Sequence, residues 1–120
     1  NGDICSREDA RQALEQSGAD GVMIGRGAYG RPWLLGQVMA DLAGGTRPDP
    51  GMDEQLGIIL EQYDAMQSLY GVQTGVNLAR KHIGWYTKGL PGSAEFRNKV
   101  NTQDDPKVVT AMLRDFYAPY

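Results

Sequence analysis

The sequence predicts two architectures in one chain: a βα segment of the kind that builds a parallel barrel, followed by an all-α helical bundle. Three observations predict it. Residues 1–33, NGDICSREDARQALEQSGADGVMIGRGAYGRPW, pass from a turn through an amphipathic helix and an apolar run to a glycine-rich loop. Residues 44–52, GGTRPDPGM, are the one clear break in composition and read as a linker. Residues 53–120 then carry four stretches with apolar side chains at helical spacing.

The first element is a short polar turn, Asn1, Gly2 and Asp3, of the kind that follows a strand. Ser6 caps the helix that comes next, because its hydroxyl can accept a bond from an amide of the first turn, and Asp9 stands near the capping-box position. Ala10, Ala13 and Leu14 give that helix a buried stripe, and Gly18 stops it. The run Gly21, Val22, Met23, Ile24, Gly25 is apolar on both faces, which suits a parallel strand with helices over one side and a barrel interior on the other. It ends in Gly25, Arg26, Gly27. Glycine lets backbone amides approach an anion, arginine can bond a phosphate in bidentate fashion, and the last strands of such barrels commonly hold a phosphate. Alone, the same three residues read first as a tight turn with a surface arginine. Arg31 is read as a surface charge rather than a second phosphate ligand.

Pro32 suits a first helical turn, and Trp33, Leu34, Leu35, Val38, Met39 and Leu42 follow at helical spacing to an end near Gly44. Past the linker, a helix from about Asp53 to Tyr70 puts Leu56, Ile59, Leu60, Tyr63, Met66 and Tyr70 on one face, with two acidic residues in its first turn where the helix dipole favours them. Gly71 ends it. A second helix, about Gln73 to Lys88, stops at GLPG, where Pro91 cannot continue it and Gly89 or Gly92 can turn left-handed. A short third begins at Ser93 and buries Phe96 and Val100. The last takes Asp105 as its cap and Pro106 as its first residue, with Val109, Met112, Leu113 and Phe116 inward.

At 120 residues and 41% apolar content the chain can bury one modest core. Two strands cannot close a barrel, so the first third is expected to present unpaired edges, and the chain reads as a fragment of a larger cytoplasmic protein. A single cysteine, Cys5, excludes an internal disulfide, and a single histidine excludes a zinc site of the usual ligand set. No apolar stretch approaches the roughly 20 residues that span a bilayer. The net charge of −3 hides an uneven distribution. Residues 73–103 hold five basic and one acidic side chain, against five and eleven in residues 1–72 and two and three in residues 104–120. The middle segment is therefore the candidate polyanion surface.

Within it, a turn of about 100° per residue sorts the second bundle helix into two arcs. Asn77, Arg80, Lys81, Gly84 and Lys88 share one narrow side, while Val76, Leu78, Ala79, Ile83, Trp85 and Tyr86 cover the rest. Arg97 and Lys99, past the GLPG turn, can extend the basic stripe. From spacing alone an ordinary solvated face accounts for it as well. His82 falls in the apolar arc and reads as a core histidine, since no nucleophile or carboxylate is placed near it. Trp85 and Tyr86 read as core in the same way.

The run that closes in GRGAYGRPW resembles the tRNA-dihydrouridine synthases, flavoenzymes that reduce uridines in tRNA. Residues 80–101, RKHIGWYTKGLPGSAEFRNKVN, resemble the bacterial DusB subgroup of that family. The resemblance implies that residues 1–43 are the last two βα units of an FMN-binding TIM barrel, 44–52 a linker and 53–120 a helical tRNA-recognition domain. It implies FMN contacts from Asn1, Gly2 and Asp3 after the seventh strand and from Gly25 and Arg26 after the eighth, with NADPH as reductant. It implies tRNA as the partner of Arg80, Lys81, Lys88, Arg97 and Lys99. No metal, membrane or obligate protein partner is expected. The family's catalytic cysteine belongs to a loop earlier in the barrel, so Cys5 is read as a small packing side chain. With no catalytic residue, the fragment alone is expected to be inactive. Two other readings stand beside this one. One is another FMN barrel, such as a dihydroorotate dehydrogenase, which lacks the helical tail. The other is a helical protein-interaction module attached to another FMN-dependent oxidoreductase barrel, which salt-dependent binding would distinguish.

Overall fold

The structure, a computed structural model, describes residues 4–18, 21 and 23–120. The Asn1, Gly2, Asp3 turn lies outside the described residues. The chain forms two compact units, Asn1–Asp49 and Pro50–Tyr120.

The first unit holds α1 (Arg7–Ser17), a single 3₁₀ turn (Arg26–Ala28) and α2 (Leu34–Leu42). At the start of α1 the Ser6 hydroxyl accepts from the Asp9 amide at 3.1 Å, while the Asp9 carboxylate accepts from the Cys5 amide at 3.1 Å. The reciprocal arm of the cap thus lands one residue ahead of the capping residue. Gly18 closes the helix in left-handed geometry at φ 68°, and its amide donates to the Leu14 carbonyl. Ile4, Ala10, Leu34 and Val38 form the core, with Ala13 and Ile24 packed on it. Arg11 on α1 pairs with Asp41 on α2 at 2.5 Å.

The parallel strand expected over Gly21 to Gly25 is not found. Val22 lies outside the described residues, and Gly21, Met23, Ile24 and Gly25 take no strand conformation. A strand exists through its ladder, and none of the described residues supplies a neighbouring strand. Met23 is correspondingly 66% exposed. Every regular element among the described residues is helical.

The second unit contains α3 (Met52–Tyr70), α4 (Val72–Thr87), α5 (Ser93–Asn101) and α6 (Pro106–Tyr117). Gly71 alone joins α3 to α4, at φ 84°. The two helices run antiparallel. Near the turn, a Cβ on Gly75 would stand 2.7 Å from both the Met66 carbonyl oxygen and the Gln67 Cα, and farther along, the Tyr86 hydroxyl donates to Gln62 Oε1 at 2.6 Å. Gly89 and Gly92 both take positive φ, 88° and 77°, and turn the chain from α4 into α5. Asp105 caps α6 by accepting from the Lys107 amide at 3.0 Å, with Pro106 in the first turn.

The core of this unit comes from one stripe of each helix: Ile59 and Tyr63, Val76, Ala79, Ile83 and Tyr86, Phe96 and Val100, then Val109, Leu113 and Tyr117. Burying each such side chain contributes about 1.5–3 kcal/mol of transfer free energy. Phe96 stacks on Phe116 at 4.3 Å between ring centres, joining α5 to α6. Two details differ from the periodicity. Tyr70, on the predicted apolar face of α3, is 51% exposed because it sits at the α3–α4 turn, beyond the packed length of the pair. Tyr117, not Phe116, is the fully inward aromatic at the end of α6.

Candidate nucleic-acid interface

The helix α4 presents a mixed surface because α3 covers one side of it, while α5 reaches only part of the other. Val76, Ala79, Ile83 and Tyr86 are buried. Its other side, together with α5, forms an open groove of about 570 Å³ lined by Asn77, Leu78, Arg80, Lys81, Gly84, Trp85 and Lys88 from α4 and Arg97 and Asn101 from α5. Gly84 shapes it. A Cβ there would lie 3.2 Å from Arg97 Cδ, so the absence of a side chain lets the arginine stem lie across α4. Four cations line the groove and no carboxylate does. Such a surface concentrates anions, and the open groove is accessible from solvent.

The cations differ in what holds them. Lys81 and Lys88 are exposed and, with the half-buried Arg97, make no ion pair among the described residues. Arg80 is engaged: it donates to Asp104 Oδ1 at 2.7 Å and to the Gln103 carbonyl at 3.2 Å, and its side chain is 24% exposed. It ties α4 to the segment between α5 and α6. Lys99 does not join the group. It sits with Glu95, its partner at 3.2 Å, in a separate depression also lined by Phe96, Asp115, Phe116 and Tyr120. The reason is the helical period: Arg97 and Lys99 are two residues apart on α5 and so project to different sides.

Trp85 is the residue that periodicity misplaced. It is 37% exposed and lines the groove rather than the core. The signal was present, since Trp85 follows Lys81 by four positions and precedes Lys88 by three, which puts all three on adjoining parts of the helix surface. His82 meets the indole edge-on, with ring centres 5.1 Å apart and planes at 84°. The histidine itself is half-buried and faces Ile59, Tyr63 and Met66 of α3. Burial first, and the adjacent Lys81 ammonium second, hold its imidazole below the ordinary 6.5. It belongs to the packing of the α3–α4 pair.

In the first unit, Arg26 opens the 3₁₀ turn with an exposed side chain, and Gly25 has open space where a Cβ would be. Gly27 brings this loop onto the segment at Ile4 and Cys5: a Cβ on Gly27 would lie 1.9 Å from the Ile4 carbonyl oxygen. Arg31 reinforces the same approach by donating to the Cys5 carbonyl at 3.0 Å. An exposed guanidinium beside a glycine backbone is a donor set that fits a phosphate. Asn1, Gly2 and Asp3 lie outside the described residues. The Cys5 side chain is exposed, against the expectation that it packs. Its backbone is the part in use, donating to Asp9 and accepting from Arg31. Among the described residues no group of three or more histidine, cysteine or acidic side chains is placed to hold a metal ion, and no helix is long and apolar enough to cross a membrane.

Comparison with known proteins adds a family likeness to this geometry. The profile of the dihydrouridine synthase family matches residues 1–118. A probable tRNA-dihydrouridine synthase of Rickettsia bellii is 52% identical over 118 residues, which are 98% of this chain and 36% of that protein. The tRNA-dihydrouridine synthase B of Xanthomonas axonopodis pv. citri is 45% identical over the same shares. That of Pseudomonas putida is 44% identical over 98% of this chain and 35% of its own length. The chain thus spans just over a third of the length of the curated relatives it matches.

Proposed function

The chain belongs to the dihydrouridine synthase family, and from that premise we propose that it is the C-terminal part of an FMN-dependent tRNA-dihydrouridine synthase, which reduces uridine to 5,6-dihydrouridine in tRNA. The observation that carries the reading is the groove along α4, with Arg80, Lys81, Lys88 and Arg97 and no acidic side chain in its lining. Residues 53–120 serve as the tRNA-holding domain in this proposal. Lys81, Lys88 and Arg97 contact phosphates, and Arg80 both holds the bundle together and adds its charge to the groove. Phosphate contacts of this kind, with shape recognition, suit a folded RNA.

The first unit is the closing part of the FMN-binding barrel in the same reading. FMN when bound supplies the hydride that reduces the uracil ring, with NADPH restoring the cofactor. Arg26 binds the cofactor phosphate through its guanidinium, Gly25 offers a close backbone amide, and Asn1, Gly2 and Asp3 complete that edge. Asp3 contributes through its backbone, because a carboxylate beside a phosphate is repelled. No residue of this chain takes a catalytic role, and the protein works in the cytoplasm.

The test is tRNA binding against salt concentration for the wild type and a Lys81→Ala/Lys88→Ala variant. Each phosphate contact contributes about 0.9 unit to the slope of log affinity on log salt for duplex, and about 0.7 on single strands. Loss of both lysines should therefore flatten the line by about 1.4–1.8 units, with thermal stability retained because both side chains are exposed. Arg80 is left in place because it anchors the fold. Parallel lines would reject the groove as an RNA surface and favour a protein-interaction module.

A further inference from the structure

The groove contains one feature that phosphate neutralisation does not need, the indole of Trp85. We propose that the groove takes an unpaired nucleotide, whose base stacks on Trp85 while the flanking phosphates meet Lys81, Lys88 and Arg97. The inference rests on the RNA reading of the groove and narrows it from a folded RNA in general to a single-stranded element within it.

The placement argues for stacking. Trp85 stands in the wall of a groove otherwise lined chiefly by polar and cationic side chains, and at 37% exposure it is accessible there. The edge-on contact with His82 engages the ring at one side. A base offers a flat apolar face and carries its own charge on a phosphate, so one nucleotide satisfies ring and lysines together. Paired bases inside a duplex keep both faces stacked, so an unpaired base is the partner that offers its face to the indole along a chain.

Binding of two probes of equal length, oligouridylate and a blunt RNA duplex, separates the possibilities in the wild type, Trp85→Ala and Trp85→Phe. Replacing a stacking aromatic by alanine weakens single-strand binding by roughly 5- to 150-fold. Trp85→Ala should show a loss in that range for oligouridylate, leave duplex affinity within about twofold and keep the salt slope, since no charge is removed. Trp85→Phe should recover most of the loss. In a Trp33→Phe background, where Trp85 is the only indole, oligouridylate should quench its fluorescence and the duplex should not. An equal loss for both probes, no loss, or an unquenched indole would overturn stacking. A salt slope lowered by the Lys81→Ala/Lys88→Ala variant while Trp85→Ala binds oligouridylate normally would reject the unpaired-base site and leave the RNA reading standing. Failure of the wild type to bind either probe would reject both.

Discussion

At Gly75 the backbones of α3 and α4 come so close that one added carbon would stand 2.7 Å from the Met66 carbonyl oxygen and from the Gln67 Cα. Those atoms belong to a helix backbone and cannot swing aside. Gly75→Ala should destabilise the chain by about 1–3 kcal/mol, the scale of overpacking, read as a lower urea midpoint at unchanged m. Gly57 is the control, since it is exposed on α3 with nothing within 4 Å of its would-be Cβ. There alanine should stabilise by about 0.5–1 kcal/mol, because it restricts the unfolded chain and favours the helix. Equal midpoints for the two variants would show that the helices part without cost. The buried tyrosines make a different test. Burial pushes the Tyr63, Tyr86 and Tyr117 hydroxyls from an ordinary 10.0 up to about 12. Each is held neutral in the fold, so its contribution is fully present below pH 10 and is lost as pH rises from 10 to about 12. Helical circular dichroism should fall in that window together with the rise of tyrosinate absorbance. Complete tyrosinate formation with the helices intact would refute the linkage.

At the scale of the element, α4 has two sides with different duties, and Arg80 stands at their border. Its bonds to Asp104 and to the Gln103 carbonyl join α4 to the start of the segment capped by Asp105, so it does for the bundle what no exposed lysine does. Arg80→Ala should lower stability by about 1–2 kcal/mol through the lost bonds to a backbone carbonyl and a carboxylate. Asp104→Asn should cost less than about 1 kcal/mol, because Asp104 is 91% exposed and the Gln103 contact survives. Denaturant midpoints of the two variants decide the matter: equal losses would place the effect in the ion pair rather than in the backbone tie.

For the whole molecule, the division at Asp49 and Pro50 sets what can fold alone. Residues 50–120 contain a core drawn from four helices, with a cap for α6 and glycine turns between neighbours. Among the described residues the core of the first unit is Ile4, Ala10, Leu34, Val38 and two half-buried neighbours, a smaller apolar cluster than the four-helix core. A fragment of residues 50–120 should therefore unfold cooperatively, with the urea midpoint that α3–α6 show in the full chain. Amides of α3 and α4 should be the slowest to exchange and those of residues 4–28 fast. A fragment that unfolds without a cooperative transition would disprove this autonomy.

By itself the sequence determined the helices: their spacing, the caps Ser6 and Asp105, and the stops at Gly18, Gly71 and the GLPG turn are local chemistry, and local chemistry is what a sequence states directly. It also determined the family likeness, through motifs spread over nearly the whole chain. Tertiary structure decided what depends on partners. The run at Gly21 to Gly25 has the composition of a strand, but no neighbouring strand is found among the described residues, and a strand without hydrogen-bonding neighbours does not form. Helical period placed Trp85 with the core, and nearness to the GLPG turn placed Lys99 with the stripe. In the folded bundle Trp85 lines the groove that α4 forms with α5, while Lys99 lies in a separate depression beside Glu95 and Phe116. Arg80 carried the same lesson: its charge is legible in sequence, but its attachment to Gln103 and Asp104, 23 and 24 residues away, exists only once the bundle has closed.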